Sequence, residues 1–390
     1  MIIERLISDE AWRQTEFPVC RNRIFLAHAG VTALPRRVAD AVVDYTRAAS
    51  EDHQEFGDVL RRIHAAREDC AELIGAGPDE IALLGPTSLG LSLFARGLAW
   101  QAGDELLCYG DDYPANVYPW IDLRRQGVVV NLLRPEAPGA ITPELVEAAL
   151  TPRTRLVALA SCHFLSGYRI DVDAIGRLLR SRGVLFSLDA IQTLGAFPTR
   201  VEHVDFLSAD SHKWLLGPLT AGIVFVRREH FDRLHPILLG AWNVRSPNFV
   251  AQDEIRLPRT GQRYEPGVLN AAGIFGMQAA IGLLREAGYE RVTARLLQLK
   301  QRIVARLQPE GFEFLGPIDG PNASSITTVR HPGRDMTALF RRLEENRVAV
   351  SLRHDRSGTA YLRISPHFYN TEPEIDRVLG LLTAVSGGTA

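Results

Sequence analysis

Apolar positions along this chain follow two periods that alternate. Residues 35–50 (PRRVADAVVDYTRAAS) open with Pro35 near a helix start and carry apolar side chains at helical spacing. The stretch 56–76 (FGDVLRRIHAAREDCAELIGA) predicts a second amphipathic helix, stopped by Gly75 and Pro78. Short, near-continuous apolar runs then predict buried strands: EIALLG, ELLCYG, GVVVNLL, RLVALAS, VLFSLDA and AGIVFVRRE. Helical segments such as SLGLSLFARGLAW and DVDAIGRLLRSR separate several of them. Strands apolar on both faces, alternating with helices, predict a mostly parallel sheet covered on each side. Beyond about Pro258 the pattern changes. A long helical region (NAAGIFGMQAAIGLLREAGYERVTARLLQLKQRIVARL) leads into SSITTVRH, a helix at DMTALFRRLEENR, a strand at TAYLRIS and a last helix from TEPEIDRVLGLLTAV, which predicts a smaller α+β unit.

Length and composition narrow the class. At 390 residues the chain exceeds one average domain. A net charge of −2 gives no reason to expect nucleic acid or an anionic membrane as partner. Cys20, Cys70, Cys108 and Cys162 are scattered without a CxxC pair, so neither a zinc knuckle nor a disulfide framework is indicated. The N-terminal MIIERLISDEAWRQ is charged and does not resemble a signal peptide, and no stretch approaches the ~20 apolar residues of a membrane helix. The expectation is a soluble, cytoplasmic protein.

The basic residues carry the first chemical signal. Of 44 Lys and Arg, only Lys213 and Lys300 are lysine. Guanidinium keeps its proton in proteins, whereas an ammonium can become a neutral nucleophilic amine. A lysine spared in an arginine-rich chain is therefore a candidate Schiff-base former, and Lys213 sits in the polar stretch SADSHKWLLGPLTAG. In an open α/β sheet ligands bind outside the carboxyl ends of strands. After EIALLG come Thr87 and Ser88, which fit either an anion at a helix start or ordinary N-capping. VLFSLDA ends in Asp189, an acid that fits either a charged ligand or the cap of the next turn. His212 fits either a structural role or phosphate binding. Asp111 and Asp112 are adjacent and read as a loop pair pointing apart. There is no GxGxxG, GxxxxGK, HExxH or GxSxG, and His203, His212, His230 and His235 lack metal-ligand spacing, so no metal is expected.

A strand-end Asp189, Gln192 three residues on, and His212–Lys213 at 23 and 24 residues after the Asp form a specific constellation. With DAIQT, SHKW, RISPHFYNT and FLAHAGVTALP, the chain resembles the class V aminotransferases, fold-type I enzymes of pyridoxal 5'-phosphate (PLP) that include cysteine desulfurases. The resemblance implies a PLP-binding large domain over 26–258 with a mostly parallel seven-stranded sheet. It implies a C-terminal small α+β domain over 259–390, and an N-terminal segment 1–25 packing with the small domain. It assigns Lys213 to the lysine that holds the cofactor, Asp189 to the acid facing the pyridine nitrogen, and Gln192 to the partner of the ring oxygen. Thr87, Ser88 and His212 fall on the phosphate cradle, Tyr113 on the ring-stacking position, and Arg363 on the grip for the substrate's α-carboxylate. A homodimer with shared active sites and a small-molecule amino-acid substrate are implied as well.

The chain also departs from the family pattern. SLRHDRSGTAYLR holds no cysteine where desulfurases carry the catalytic one, Phe164 stands where many relatives use Asn, and Val268 in YEPGVLN offers no hydroxyl toward a dimer mate. The reading is an amino-acid enzyme that deprotonates Cα, with transamination first because the desulfurase cysteine is missing. C–S lyase or desulfurase-like elimination and epimerisation are the alternatives within the class, and a non-catalytic PLP-fold scaffold the alternative outside it. Side-chain choice is expected around Tyr113, His163 and His354.

Overall fold

The computed structural model describes residues 2–384. The chain opens with helices α1 (Ile2–Ser8) and α2 (Glu10–Glu16) and a short strand β1 (Ile24–Phe25). Two amphipathic helices follow, α3 (Arg36–Glu51) and α4 (Val59–Ile74). The central region runs β2 (Ile81–Ala82), α5 (Thr87–Gly97), β3 (Glu105–Tyr109), α6 (Tyr118–Ile121), β4 (Val129–Leu133), α7 (Pro143–Ala149), β5 (Thr154–Ala160), α8 (Val172–Ser181), β6 (Leu185–Asp189), β7 (Phe206–Asp210) and β8 (Gly222–Val226). The remainder comprises α9 (Ala271–Ala287), α10 (Tyr289–Leu307), β9 (Glu313–Phe314), β10 (Thr327–Arg330), α11 (Met336–Glu345), β11 (Val348–Ala349), β12 (Ser351–His354), β13 (Ala360–Ile364) and α12 (Glu372–Thr383).

The seven-stranded sheet has the order β2-β8-β7-β6-β5-β3-β4. Only β8 runs against its neighbours, β7 and β2; the other pairings are parallel. This is the mostly parallel α/β sheet the pattern predicts. Strands β3, β6, β7 and β8 are buried at every position, as two covered faces require, whereas edge strand β4 has both exposed and buried positions. Alternate side chains feed two cores. Leu107, Val157, Leu159 and Phe186 pack on the side of α9, while Leu106, Leu156, Phe206 and Val224 pack against Phe94 of α5. A third core joins α10, α11 and α12 to the antiparallel sheet β12-β13-β10-β9.

Several elements differ from the apolar pattern. The run EIALLG contributes a strand of just two residues, and β7 falls where FLSAD showed no continuous apolar run. The long helical region is two helices, broken at Gly288, where φ is 82°. Helix α9 packs on α3 and α4, and its Ile274, Phe275, Met277 and Ile281 join the core of the large sheet although they lie beyond residue 258. The N-terminal segment touches both parts. Ile3, Leu6 and Phe17 belong to the large core, while β1 pairs in parallel with β11 and Phe17 stacks on Tyr369 at 3.9 Å between centroids.

Two features of this fold position the site. The parallel strands β3, β5, β6 and β7 bring their carboxyl ends to one edge of the sheet, where ligands of such sheets bind. Helix α5 lies close against the sheet because Gly90 has no side chain. A Cβ there would fall 2.4 Å from Ser208 Oγ and 2.7 Å from a Val224 methyl. The close approach brings the N-terminus of α5 to the end of β7.

Candidate active site

Lys213 lies in the loop that reverses the chain between β7 and β8, and this loop is held tightly. Ser211 N donates to Ala221 O at 2.9 Å, Gly217 N to Ser211 O at 2.8 Å, and Thr220 N to Asp210 Oδ2 at 3.1 Å. Those bonds hold Leu216 and Thr220 at φ of 60° and 61°, a left-handed conformation unfavourable for residues with a Cβ. The lysine side chain is buried, and its ammonium is held well below its ordinary pKa by burial, with Asp189 opposing and Arg363 and Arg353 adding to the effect. Its Nζ lies 5.3 Å from the ring centroid of Tyr113.

Asp189 ends β6, buried, with Oδ1 accepting from Ile191 N at 3.1 Å. Burial and the nearby Asp112 raise its pKa above the carboxylate range, with Lys213 acting the other way. Gln192 is fixed at both ends of its amide: Oε1 accepts from Trp214 Nε1 at 2.9 Å, and Nε2 donates to Ala29 O at 3.1 Å, leaving one N–H. At the start of α5 the N-cap is Pro86, with no side-chain cap, so Thr87 and Ser88 are not the helix caps that sequence allowed. Thr87 Oγ1 instead accepts from Asp210 N at 2.8 Å, tying the helix start to β7. His212 Nδ1 stands 3.0 Å from Asp210 Oδ1 without hydrogen-bond alignment, and neither atom has another partner.

Arg363 comes from β13 and is 1% exposed. Its Nη1 donates to Phe164 O at 2.6 Å, while Nε and Nη2 are buried without an acceptor. Burial, with Arg353 beside it, lowers its affinity for the proton. A cation buried this way is costly unless an anion completes it.

All eight residues singled out in the sequence, Thr87, Ser88, Tyr113, Asp189, Gln192, His212, Lys213 and Arg363, line one cavity of about 410 Å³. Gly30, Phe164, Ser351 and Arg353 line it too, and sequence reasoning gave none of them a ligand. No cysteine lines it. Cys162 is fully buried, its thiol pushed up to about 11 by burial, and its Sγ lies 3.8 Å from His163 O.

Two expectations need correction. His163 and His354 do not face Lys213; they line an adjoining cavity of about 590 Å³, which shares Phe164 with the first. His163 is engaged on both nitrogens, with Ser166 Oγ at 2.9 Å and Asp111 O at 3.1 Å. Asp111 and Asp112 do point apart, but Asp112 is more than a loop acid. It is buried, pushed up to about 6 by that burial, and held by Asn116 Nδ2 and Tyr113 N. A sequence signal existed in Asn116, four residues on, which a buried carboxylate needs as a donor. Elsewhere Asp205, Glu229 and His230 bring ligand-type atoms within 4.8 Å of one another, and none of the three lines the cavity.

A family model, aminotransferase class-V, matches residues 24–378. The chain belongs to this family. As a class V aminotransferase family member it is a PLP-dependent enzyme. A probable cysteine desulfurase of Methanothermobacter thermautotrophicus is 28% identical over 95% of this chain and 97% of that protein. Among solved structures, the apo cysteine desulfurase of Thermococcus onnurineus NA1 superposes with a TM-score of 0.89 at 22% identity, covering 97% of each chain. The cystine C–S lyase C-DES, in complex with its reaction product cysteine persulfide, superposes with a TM-score of 0.85 at 20% identity, covering 94% of this chain and 99% of that one. Among the described residues no helix is long and apolar enough to cross a membrane.

Proposed function

We propose that this enzyme cleaves the C–S bond of an S-substituted cysteine by β-elimination, without an enzyme thiol. One observation carries the reading: Lys213, Asp189 and the uncompensated Arg363 face a single cavity that no cysteine lines. The full-length relative named as a probable cysteine desulfurase favours sulfur chemistry over plain transamination, which the motifs alone put first. Persulfide formation needs a mobile thiolate, and 351–363 (SLRHDRSGTAYLR) has no thiol to offer.

The residues fit PLP. Asp189 is a buried acid for which a protonated ring nitrogen would be the partner cation. The uncapped first turn of α5 offers backbone donors to a phosphate, with Thr87, Ser88 and His212 lining the cavity there. Tyr113 offers a flat face beside Lys213, and the free N–H of Gln192 a donor to the ring oxygen. When bound, PLP supplies an electron sink for the pair left on Cα.

The chain's own residues then do the following. Arg363 binds the α-carboxylate through Nε and Nη2, the two donors left without an acceptor. Lys213, held toward its neutral form, takes the Cα proton. The Cα–H electron pair forms the Cα–Cβ double bond as the Cβ–S pair leaves on sulfur, and a proton returned from Lys213 completes the thiol. The 2-aminoacrylate released takes up water to give pyruvate and ammonia.

Exposed apolar side chains between β8 and α9, among them Leu239, Trp242, Phe249 and Val268, support a homodimer that covers this surface and completes the site. Val268 is 77% exposed and lies outside its own chain's Lys213 cavity, as a residue serving a partner would.

The test is a product assay with PLP-loaded enzyme and S-methyl-L-cysteine, no 2-oxo acid being added. Pyruvate, ammonia and thiol should accumulate in equal amounts over many turnovers. Turnover that requires a 2-oxo acid would instead assign transamination, and loss of optical activity alone would assign epimerisation. Absence of any spectral response to amino acids would leave a scaffold.

A further inference from the structure

The cavity holds a second arginine that the α-carboxylate does not require. Strands β12 and β13 are antiparallel, with Ser351 opposite Arg363 and Arg353 opposite Tyr361. Arg353 is therefore the diagonal neighbour of Arg363 on the same face of the sheet. Both guanidinium groups reach toward Gly30. A Cβ at that residue would lie 3.6 Å from Arg363 Nη2 and 3.8 Å from Arg353 Nη2. The absent side chain keeps the space before the two groups open.

Neither arginine makes an ion pair among the described residues, and the Nε of each is buried without a partner. The acids of the adjoining loops are engaged elsewhere. Asp111 pairs with Arg356 at 2.5 Å, and Asp355 accepts from Ser357, Thr359 and Tyr361. Asp189, the acid lining the cavity, lies among the residues that fit the cofactor. Two like charges placed side by side on one sheet face repel, and no acid among the described residues pairs with the second. An amino acid brings one α-carboxylate, which completes Arg363. Arg353 then still lacks its anion.

We propose that Arg353 is a specificity-determining residue that binds a second anionic group, so that the preferred substrates are α-amino acids carrying a side-chain carboxylate or an equivalent anion. This deepens the reading of the site as a PLP-dependent amino-acid site, on which it rests. Under C–S elimination the preferred S-substituent itself ends in a carboxylate.

The experiment is an absorbance titration of the PLP-loaded enzyme at the cofactor band. L-aspartate is compared with L-asparagine, and L-glutamate with L-glutamine, in the wild type, Arg353→Gln and Arg353→Lys. None of these ligands carries a sulfur leaving group, so the outcome is independent of C–S cleavage. The wild type should bind at least one acid tenfold or more tightly than its amide. Arg353→Gln should reduce that preference below threefold, through weaker binding of the acid rather than of the amide. Should Arg353→Gln lose the cofactor, the comparison is read in Arg353→Lys, where a point charge without the guanidinium fork should cut the preference at least threefold. Equal binding of acid and amide by the wild type overturns the proposal. So does an equal loss for both in Arg353→Gln, which would place Arg353 on the α-carboxylate, or an unchanged preference in Arg353→Lys.

Discussion

Replacing Arg363 with lysine keeps the charge and removes the fork. In the native side chain Nη1 is committed to Phe164 O at 2.6 Å, while Nε and Nη2 are buried without acceptors. A lysine has one nitrogen. It either keeps the carbonyl, withdrawing from the substrate, or meets the carboxylate and leaves the buried carbonyl unpaired. Either way the pair loses one hydrogen bond to a charged group, worth about 1.5–3 kcal/mol. That corresponds to roughly a 10- to 150-fold rise in amino-acid Kd. The assay is an absorbance titration of cofactor-loaded protein with L-alanine, which binds without losing a side chain. Bound PLP per chain is measured alongside and should stay at the wild-type value, because Arg363 faces the substrate. An unchanged Kd, or a loss of PLP equal to the loss of substrate affinity, would refute the assignment.

Other perturbations have equally definite outcomes. Borohydride treatment of the yellow holoenzyme should fix PLP to Lys213 and to no other residue in a peptide map, and Lys213→Ala should abolish the adduct. Gly90→Ala drives a Cβ against Ser208 Oγ and Val224, so overpacking should lower stability by about 1–3 kcal/mol, read from the urea midpoint, and weaken PLP binding by shifting α5. Lys300 is buried and donates to Ile326 O at 2.8 Å, and burial pushes its pKa from 10.5 down to about 8. Between those values the unfolded chain binds more protons than the folded one, so this lysine's contribution makes stability rise with pH there, by up to about 1.4 kcal/mol per unit. The apo wild type should therefore gain stability relative to Lys300→Met from pH 8 upward; a flat difference would contradict the assigned burial.

Much of the site was legible because its signals are local. Lysine is so rare here that the two positions using it stand out, and both prove to be buried. Asp189 announces itself as an acid closing an apolar strand. Arg363 does not, being one arginine among 42, and only its likeness to a family motif marked it. Arg353 stayed hidden for a different reason. Its relation to Arg363 depends on the register of β12 against β13, and no local pattern fixes that. Strand β7 escaped notice because Ser208 and Asp210 interrupt its apolar run, although both lie inside the protein. Asp112 looked like a loop acid, although Asn116, four residues on, already offered the donor that its buried carboxylate uses. Side-chain choice was expected around His163 and His354, but sequence cannot tell on which side of Phe164 their side chains fall.

Thiol-free cleavage is tested most directly by one incubation with L-cysteine, followed by intact-protein mass, pyruvate and alanine. The mechanism predicts many pyruvates per enzyme while the protein's mass shows no added sulfur, and the same turnover in Cys162→Ser. A persulfide on Cys162 with alanine formed in place of pyruvate, both lost in Cys162→Ser, would contradict it.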